Sequence, residues 1–281
     1  MTHQSWQQRA RQTLIRSGQN SDQAHAAARL LLDFATQTRY AALTRPDAEI
    51  DAATLTQLET ALEQLKRRVP LPHITGRANF YGLELEVSPA TLIPRPETEF
   101  LVEAVLGRLP PDARVADLGA GSGAIAIALK KTRPDLQVWA TDISPDAVAI
   151  ARRNAAQHQT QITFLDGTTD WLSPLQSLAP LDAIVSNPPY IAAAEIEHLQ
   201  PEVRLYEPRS ALDGGADGLD PYRIFAVRGR DLLGENGFVA VELGDGQWNK
   251  TRDLFAQAGF RVEAAVCDLQ NIERVLVARR A

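Results

Sequence analysis

The sequence predicts an α/β protein in which a small all-helical domain precedes a doubly wound, mostly parallel sheet. Three observations carry this reading. Residues 6–69 place Leu, Ala and Phe at three- and four-residue intervals, the period of helices with one buried face. From Arg114 onward short β-branched runs alternate with helical stretches, as strands joined by crossover helices do. Between the halves, prolines and one short alternating segment mark a boundary.

A chain of 281 residues, 44% hydrophobic and 23% charged, has the size of about two domains. We expect a helical domain over 1–72, a hairpin linker over 73–93 and a sheet domain over 94–281. Ala24 to Thr36 and Thr54 to Arg68 are the clearest helices of the first part. Lys66-Arg67-Arg68 closes the second of these, where cations complement the helix dipole; a local basic patch is the other reading. Pro70 and Pro72 stop that helix, and Phe80 to Val87 alternates about Gly82 as a short hairpin would. Pro94-Arg95-Pro96-Glu97-Thr98-Glu99 leads into a helix over Phe100 to Leu109, its acids suited to the positive end of the dipole. The strands expected next are Arg114 to Leu118, Gln137 to Asp142, Gln161 to Leu165, Asp182 to Ser186, Gly237 to Leu243, Phe260 to Cys267 and Ile272 to Ala278. Too few residues join the last two for a crossover, so they should pair antiparallel.

A net charge of −6 lacks the dense cationic field that phosphate-backbone binding needs, and no direct nucleic-acid binding is expected. No apolar run reaches the ~18 residues of a membrane span, and the start lacks the basic-then-apolar pattern of a secretory signal. A monomeric cytoplasmic protein is expected. The single cysteine, Cys267, excludes an internal disulfide and is expected as filler on a buried strand face. The five histidines fall at no ligand spacing, so no metal is expected.

Two turns carry the chemistry. Val115-Ala116-Asp117-Leu118 runs into Gly119-Ala120-Gly121-Ser122-Gly123, and a helical stretch follows. Glycines let a ligand approach the main chain; tight strand-to-helix turns also use them. Ala124 stands where the dinucleotide fingerprint would need glycine, which points away from pyrophosphate and toward a nucleoside. Nineteen residues after Gly123, Asp142 ends the second strand, where a carboxylate can accept from both ribose hydroxyls. Its alternative role is a cap for the helix starting near Pro145. S-adenosylmethionine fits this set, with a ribose and no phosphate. Trp171 could lie along the adenine, or be core.

The second turn is Asn187-Pro188-Pro189-Tyr190, after the fourth strand and near where a doubly wound sheet opens its ligand crevice. A rigid strand-ending turn is the plainer reading. The functional one follows from chemistry: an amide or exocyclic nitrogen is a poor nucleophile because its lone pair is delocalised. The Asn187 oxygen and Pro188 carbonyl could accept its two N–H groups and aim the lone pair, with Pro189 stiffening the turn and Tyr190 packing on the acceptor.

Taken with Leu71 to Gly76, Phe80, Gly82 and Leu92 to Glu99, these signatures make the chain resemble the HemK-type protein glutamine methyltransferases over nearly its whole length. The resemblance implies a seven-stranded Rossmann-like domain using S-adenosylmethionine, held at Gly119 to Gly123, Asp142, Trp171 and Asn187. It implies an acceptor glutamine in the Gly-Gly-Gln motif of peptide chain release factors, engaged by Asn187 to Tyr190, and a helical domain that helps hold that protein. Pro94 to Glu99 would border the site or simply stiffen the interdomain chain. Two segments depart from the family pattern, the stretch before Pro70 and Asp268 to Val275. The competing readings are a ribosomal-protein glutamine methyltransferase and a nucleic-acid exocyclic-amine methyltransferase.

Overall fold

The computed structural model describes residues 1–167 and 171–280. Thr169 and Asp170, which flank Trp171 in the sequence reading, lie outside the described residues. The chain forms two compact units, Met1–Gly76 with Pro201–Tyr206, and Arg77–Gln200 with Glu207–Ala281.

The first unit contains α1 (His3–Arg16), α2 (Ser21–Thr36), α3 (Ala41–Thr44), α4 (Ala52–Lys66) and α5 (Leu71–Thr75). Side chains at the helix starts satisfy the free amides. Thr2 forms a capping box with Ser5, Asn20 accepts from the Gln23 amide, and Asp51 accepts from those of Ala53 and Thr54. Trp6, Leu14, Leu32, Leu58 and Leu62 fill the core, each side chain contributing roughly 1.5–3 kcal/mol on burial. Arg68 sits in the left-handed region, at φ 68°, in one of the segments that departs from the family pattern. Its guanidinium holds it there, bonding the Gly18 carbonyl and pairing with Glu202 at 2.9 Å.

The second unit begins with the hairpin β1 (Arg77–Phe80) and β2 (Leu83–Glu86), whose Phe80 and Leu85 enter the same core as the sheet that follows. Of the segment read as a linker, residues 77–93 thus belong to this unit and 73–76 to the helical one. After α6 (Thr98–Leu106) come β3 (Arg114–Leu118), α7 (Ala124–Thr132), β4 (Gln137–Asp142), α8 (Pro145–Gln157), β5 (Ile162–Asp166) and β6 (Leu181–Ser186). Then α9 (Pro201–Tyr206) visits the helical unit, and α10 (Asp220–Leu232), β7 (Leu233–Glu242), α11 (Trp248–Gln257), β8 (Phe260–Val262), β9 (Val266–Cys267) and β10 (Glu273–Arg280) complete the chain. The sheet order is β5-β4-β3-β6-β7-β10-β8, parallel from β5 to β7, with β10 antiparallel to both neighbours.

Strand period explains the two layers. Val115, Ala183, Val185, Ala240 and Val277 face one core, shared with α6, α7 and α8, while Ala116, Ile184, Val239, Val241 and Leu276 face the other, under α10 and α11. The doubly wound sheet and its antiparallel end are as expected. One strand differs: Phe260 to Cys267 is broken into β8 and β9, both paired with β10, and the β9 pairing shifts register between Glu273 and Val275. Cys267 there is half-buried rather than core filler. In the other departing segment Asn271 takes φ 62°, a conformation that Asn tolerates among non-glycine residues, and Asp268 accepts from the amides of Gln270 and Ile272. Among the described residues no helix is long and apolar enough to cross a membrane.

Candidate active site

β3 and β6 are neighbours, with Leu118 opposite Ser186, so the glycine turn and the Asn187 turn leave the sheet side by side at its carboxyl edge. Between them opens a cleft. Gly119, Ala120, Gly121, Ser122, Asp142, Trp171, Asn187 and Pro189 all line it. Gly123, Pro188 and Tyr190 are not among the lining residues.

The glycine turn is pinned from beneath, the amides of Gly119 and Ala120 both donating to the Thr141 carbonyl at 2.9 Å. A methyl group on Gly119 or Gly121 would meet no atom within 4 Å, whereas one on Gly123 would press Ile127 and Ala151 at 3.0 and 3.2 Å. The first two therefore keep open space over the turn, and Gly123 lets α7 and α8 approach. Asp142 accepts from the Gly121 amide at 2.8 Å through one oxygen and from the Ser144 amide at 2.9 Å through the other. The helix cap is Ser144, whose hydroxyl accepts from Ala147, so Asp142 is not the cap. Burial pushes the Asp142 carboxyl up, and those amides oppose it. Lone pairs remain on both oxygens for two further donors.

Trp171 is fixed by its own carbonyl, which accepts from the Thr141 hydroxyl at 3.0 Å, and its ring tilts against Phe225 with centroids 5.7 Å apart. Its buried Nε1 has no hydrogen-bond partner among the described residues. Beneath the glycine turn Asp117 is fully buried, donated to by the Ala126 amide, and burial raises its carboxyl to about 7.

Asn187 is held by its amide nitrogen, which donates to the Thr98 hydroxyl at 3.0 Å. Thr98 in turn donates to Glu242 at 2.5 Å, and the other Glu242 oxygen accepts from Tyr190 at 3.3 Å. Tyr190 is thus turned under the strand ends toward Glu242, and its ring packs with the core under α10 and α11. Burial raises the Glu242 carboxyl to about 7, against the bonds from Thr98 and Tyr190. The turn itself is clamped. Gln247 donates to the Tyr190 carbonyl at 2.8 Å, and Ile191 exchanges main-chain bonds with Leu212 and Gly214. A side chain at Gly214 would come within 2.8 Å of the Pro189 oxygen, so the approach needs glycine there. Arg95 and the Ile93 amide both bond the buried Glu207, fixing the segment that brings Pro94 and Thr98 to the cleft.

Thr98 lies in Pro94 to Glu99, the segment read as bordering the site; Glu242, Gln247 and Gly214 were not singled out from sequence. Glu242 had a signal, an acid at the end of the apolar run Phe238 to Val241. The others are ordinary residues until the fold gives them partners.

Two family models match the chain, the PrmC N-terminal domain over residues 5–76 and the Methyltransferase small domain over 96–204. Similar proteins named release factor glutamine methyltransferase include that of Geobacter sulfurreducens, 46% identical over 76% of this chain and 74% of the relative. That of Moorella thermoacetica is 41% identical over 90% of each. The chain belongs to the release factor glutamine methyltransferase family. It is an enzyme of the S-adenosylmethionine-dependent methyltransferase class. The fold agrees: a methyltransferase of Pyrococcus furiosus superposes with a TM-score of 0.56 at 16% identity, covering 82% of this chain and all of that one. A Thermus thermophilus 16S rRNA N2 G1207 methyltransferase superposes at 0.52 and 20% identity, over 73% of this chain and 50% of that one.

Proposed function

We propose that this enzyme methylates the side-chain amide nitrogen of the glutamine in the Gly-Gly-Gln motif of peptide chain release factors, acting as a monomer in the cytoplasm and without binding nucleic acid directly. The observation that carries the reading is the setting of Asn187. Its amide nitrogen is taken up by Thr98, which leaves Oδ1 for a donor in a cleft shared with the glycine turn and Asp142. Family membership supports the same substrate.

The residues present suit S-adenosylmethionine. Gly119 and Gly121 keep the space over the turn clear, Asp142 has lone pairs for two ribose hydroxyls, and Trp171 offers a ring at the cleft wall. When bound, the cofactor supplies a methyl group made electrophilic by its sulfonium. The chain's own part is to orient the acceptor. Asn187 Oδ1 and the Pro188 carbonyl accept the two amide N–H groups, which favours a pyramidal nitrogen with its lone pair directed at the donor. The prolines hold that carbonyl against the pull of the substrate. The nitrogen becomes acidic only after it is alkylated, so no base is needed before attack. Tyr190 acts from below, through Glu242, and Gly123 through packing.

Intact-mass spectrometry tests the reading. An unmodified release factor incubated with the enzyme and S-adenosylmethionine should gain one methyl, and a copy with the Gly-Gly-Gln glutamine replaced should gain none. A gain on both copies would place the methyl elsewhere, and no gain on either by a cofactor-binding enzyme would remove the release factor as substrate.

A further inference from the structure

Asn187 alone does not determine which end of its amide faces the cleft, because its oxygen and its NH₂ group are nearly the same size. The bonds behind it decide. Glu242, only 2% exposed at the end of β7, has one oxygen on the Thr98 hydroxyl at 2.5 Å and the other on the Tyr190 hydroxyl at 3.3 Å. Ionised, as it is above about pH 7, this carboxylate can only accept, so it takes the single hydroxyl proton of Thr98. Thr98, 4% exposed at the start of α6, then has only lone pairs to offer Asn187 and must receive its NH₂, as the 3.0 Å contact shows. Each bond sets the direction of the next.

We propose that Thr98 and Glu242 are positioning residues that set the polarity of the Asn187 amide, so that the cleft presents an acceptor and selects the nitrogen end of a substrate amide over its oxygen end. This rests on the reading of Asn187 as the anchor of the acceptor amide. A substrate glutamine has the same ambiguity as Asn187. With Asn187 turned round, its NH₂ would face the cleft and draw the substrate oxygen to the place meant for nitrogen. Binding would survive and transfer would not. The relay is thus a specificity device for a group with two look-alike ends, and it joins three segments that are far apart in sequence.

Four variants test it: Thr98→Val, which keeps the shape and removes the hydroxyl; Thr98→Ser, which keeps the hydroxyl; Glu242→Gln, whose NH₂ can donate to Thr98 and reverse the relay; and Asn187→Ala. Turnover and KM are measured with an unmodified release factor, cofactor affinity by isothermal titration, and folding by thermal unfolding. Thr98→Val and Glu242→Gln should lower kcat ~10- to 100-fold, the size typical of partners that orient a reactive ligand, with KM and cofactor affinity within about threefold. Thr98→Ser should stay within about threefold of the parent, and Thr98→Val combined with Asn187→Ala should be no slower than Asn187→Ala alone. Should Glu242→Gln fail to fold, the Val and Ser pair carries the comparison. Parental kcat in Thr98→Val beside a slow Asn187→Ala would overturn the relay and leave the Asn187 reading intact, as would equal losses in Thr98→Val and Thr98→Ser. Parental kcat in Asn187→Ala would instead remove the reading on which the relay rests.

Discussion

The glycine turn after β3 and the Asn-Pro-Pro-Tyr turn after β6 leave neighbouring parallel strands at the same level of the sheet, yet they are held in different ways. The first is fixed mostly by main chain: two amides on the Thr141 carbonyl, with a third on the Asp142 carboxylate. The second is fixed by side chains drawn from α6, β7 and the start of α11, through Thr98, Glu242 and Gln247. The difference matches their tasks. A nucleoside is a rigid ligand that a backbone cradle can receive, whereas a planar amide needs donors and acceptors of defined polarity, which only a bonded network fixes. A main-chain cradle should tolerate changes that remove one side chain, and the network should not.

The largest expected effect lies on the network side. Asn187→Ala should lower turnover by about 2–4 kcal/mol in barrier, ~30- to 1000-fold, with a smaller change in cofactor affinity measured by titration. Equal losses in both would erase the distinction between the two turns. Beneath the cradle, Asp117 holds a proton in the folded chain up to about pH 7, which the unfolded chain releases near 4. The wild-type protein should therefore lose stability relative to Asp117→Asn as pH rises through that window, by on the order of 2–4 kcal/mol, and no further above it. Denaturant titrations at pH 4.5, 6 and 8 would show this, and a constant difference between the proteins would contradict it. Asp142→Ala should weaken S-adenosylmethionine by about 1–3 kcal/mol, the worth of hydrogen bonds to a charged acceptor. Unchanged affinity by titration would remove the ribose role. The smallest effect is expected for Trp171→Phe, under about 1 kcal/mol in affinity, since an aromatic ring is retained and the indole nitrogen has no hydrogen-bond partner among the described residues. A larger loss would mean that Nε1 bonds the ligand.

The same contrast decides what could be read from sequence. β3 and β4 have the boundaries their residues suggest, and the glycine turn, Asp142 and Asn187 announce themselves because each lies within or just beyond a short apolar strand. Local patterns of this kind carry their own structure. The network does not: Thr98 is 89 residues from Asn187 and 144 from Glu242, and although Pro94 to Glu99 stands out as a segment, nothing in it marks Thr98 as the partner of either. Tyr190 shows the limit from the other side. Its motif marks it for the acceptor, but β7 offers a buried carboxylate behind the turn, and its hydroxyl goes there. The break between β8 and β9 was likewise hidden, since a run such as Arg261 to Cys267 alternates well enough for one strand.

Single-turnover methyl transfer to an unmodified release factor, measured across a range of S-adenosylmethionine concentrations for Asp142→Ala and Asn187→Ala, tests the division of labour between the two turns most directly. Saturating cofactor should restore the Asp142 variant to near the parental rate and leave the Asn187 variant slow at every concentration. Recovery of the Asn187 variant at high cofactor, or a saturated rate equally low in both, would contradict it.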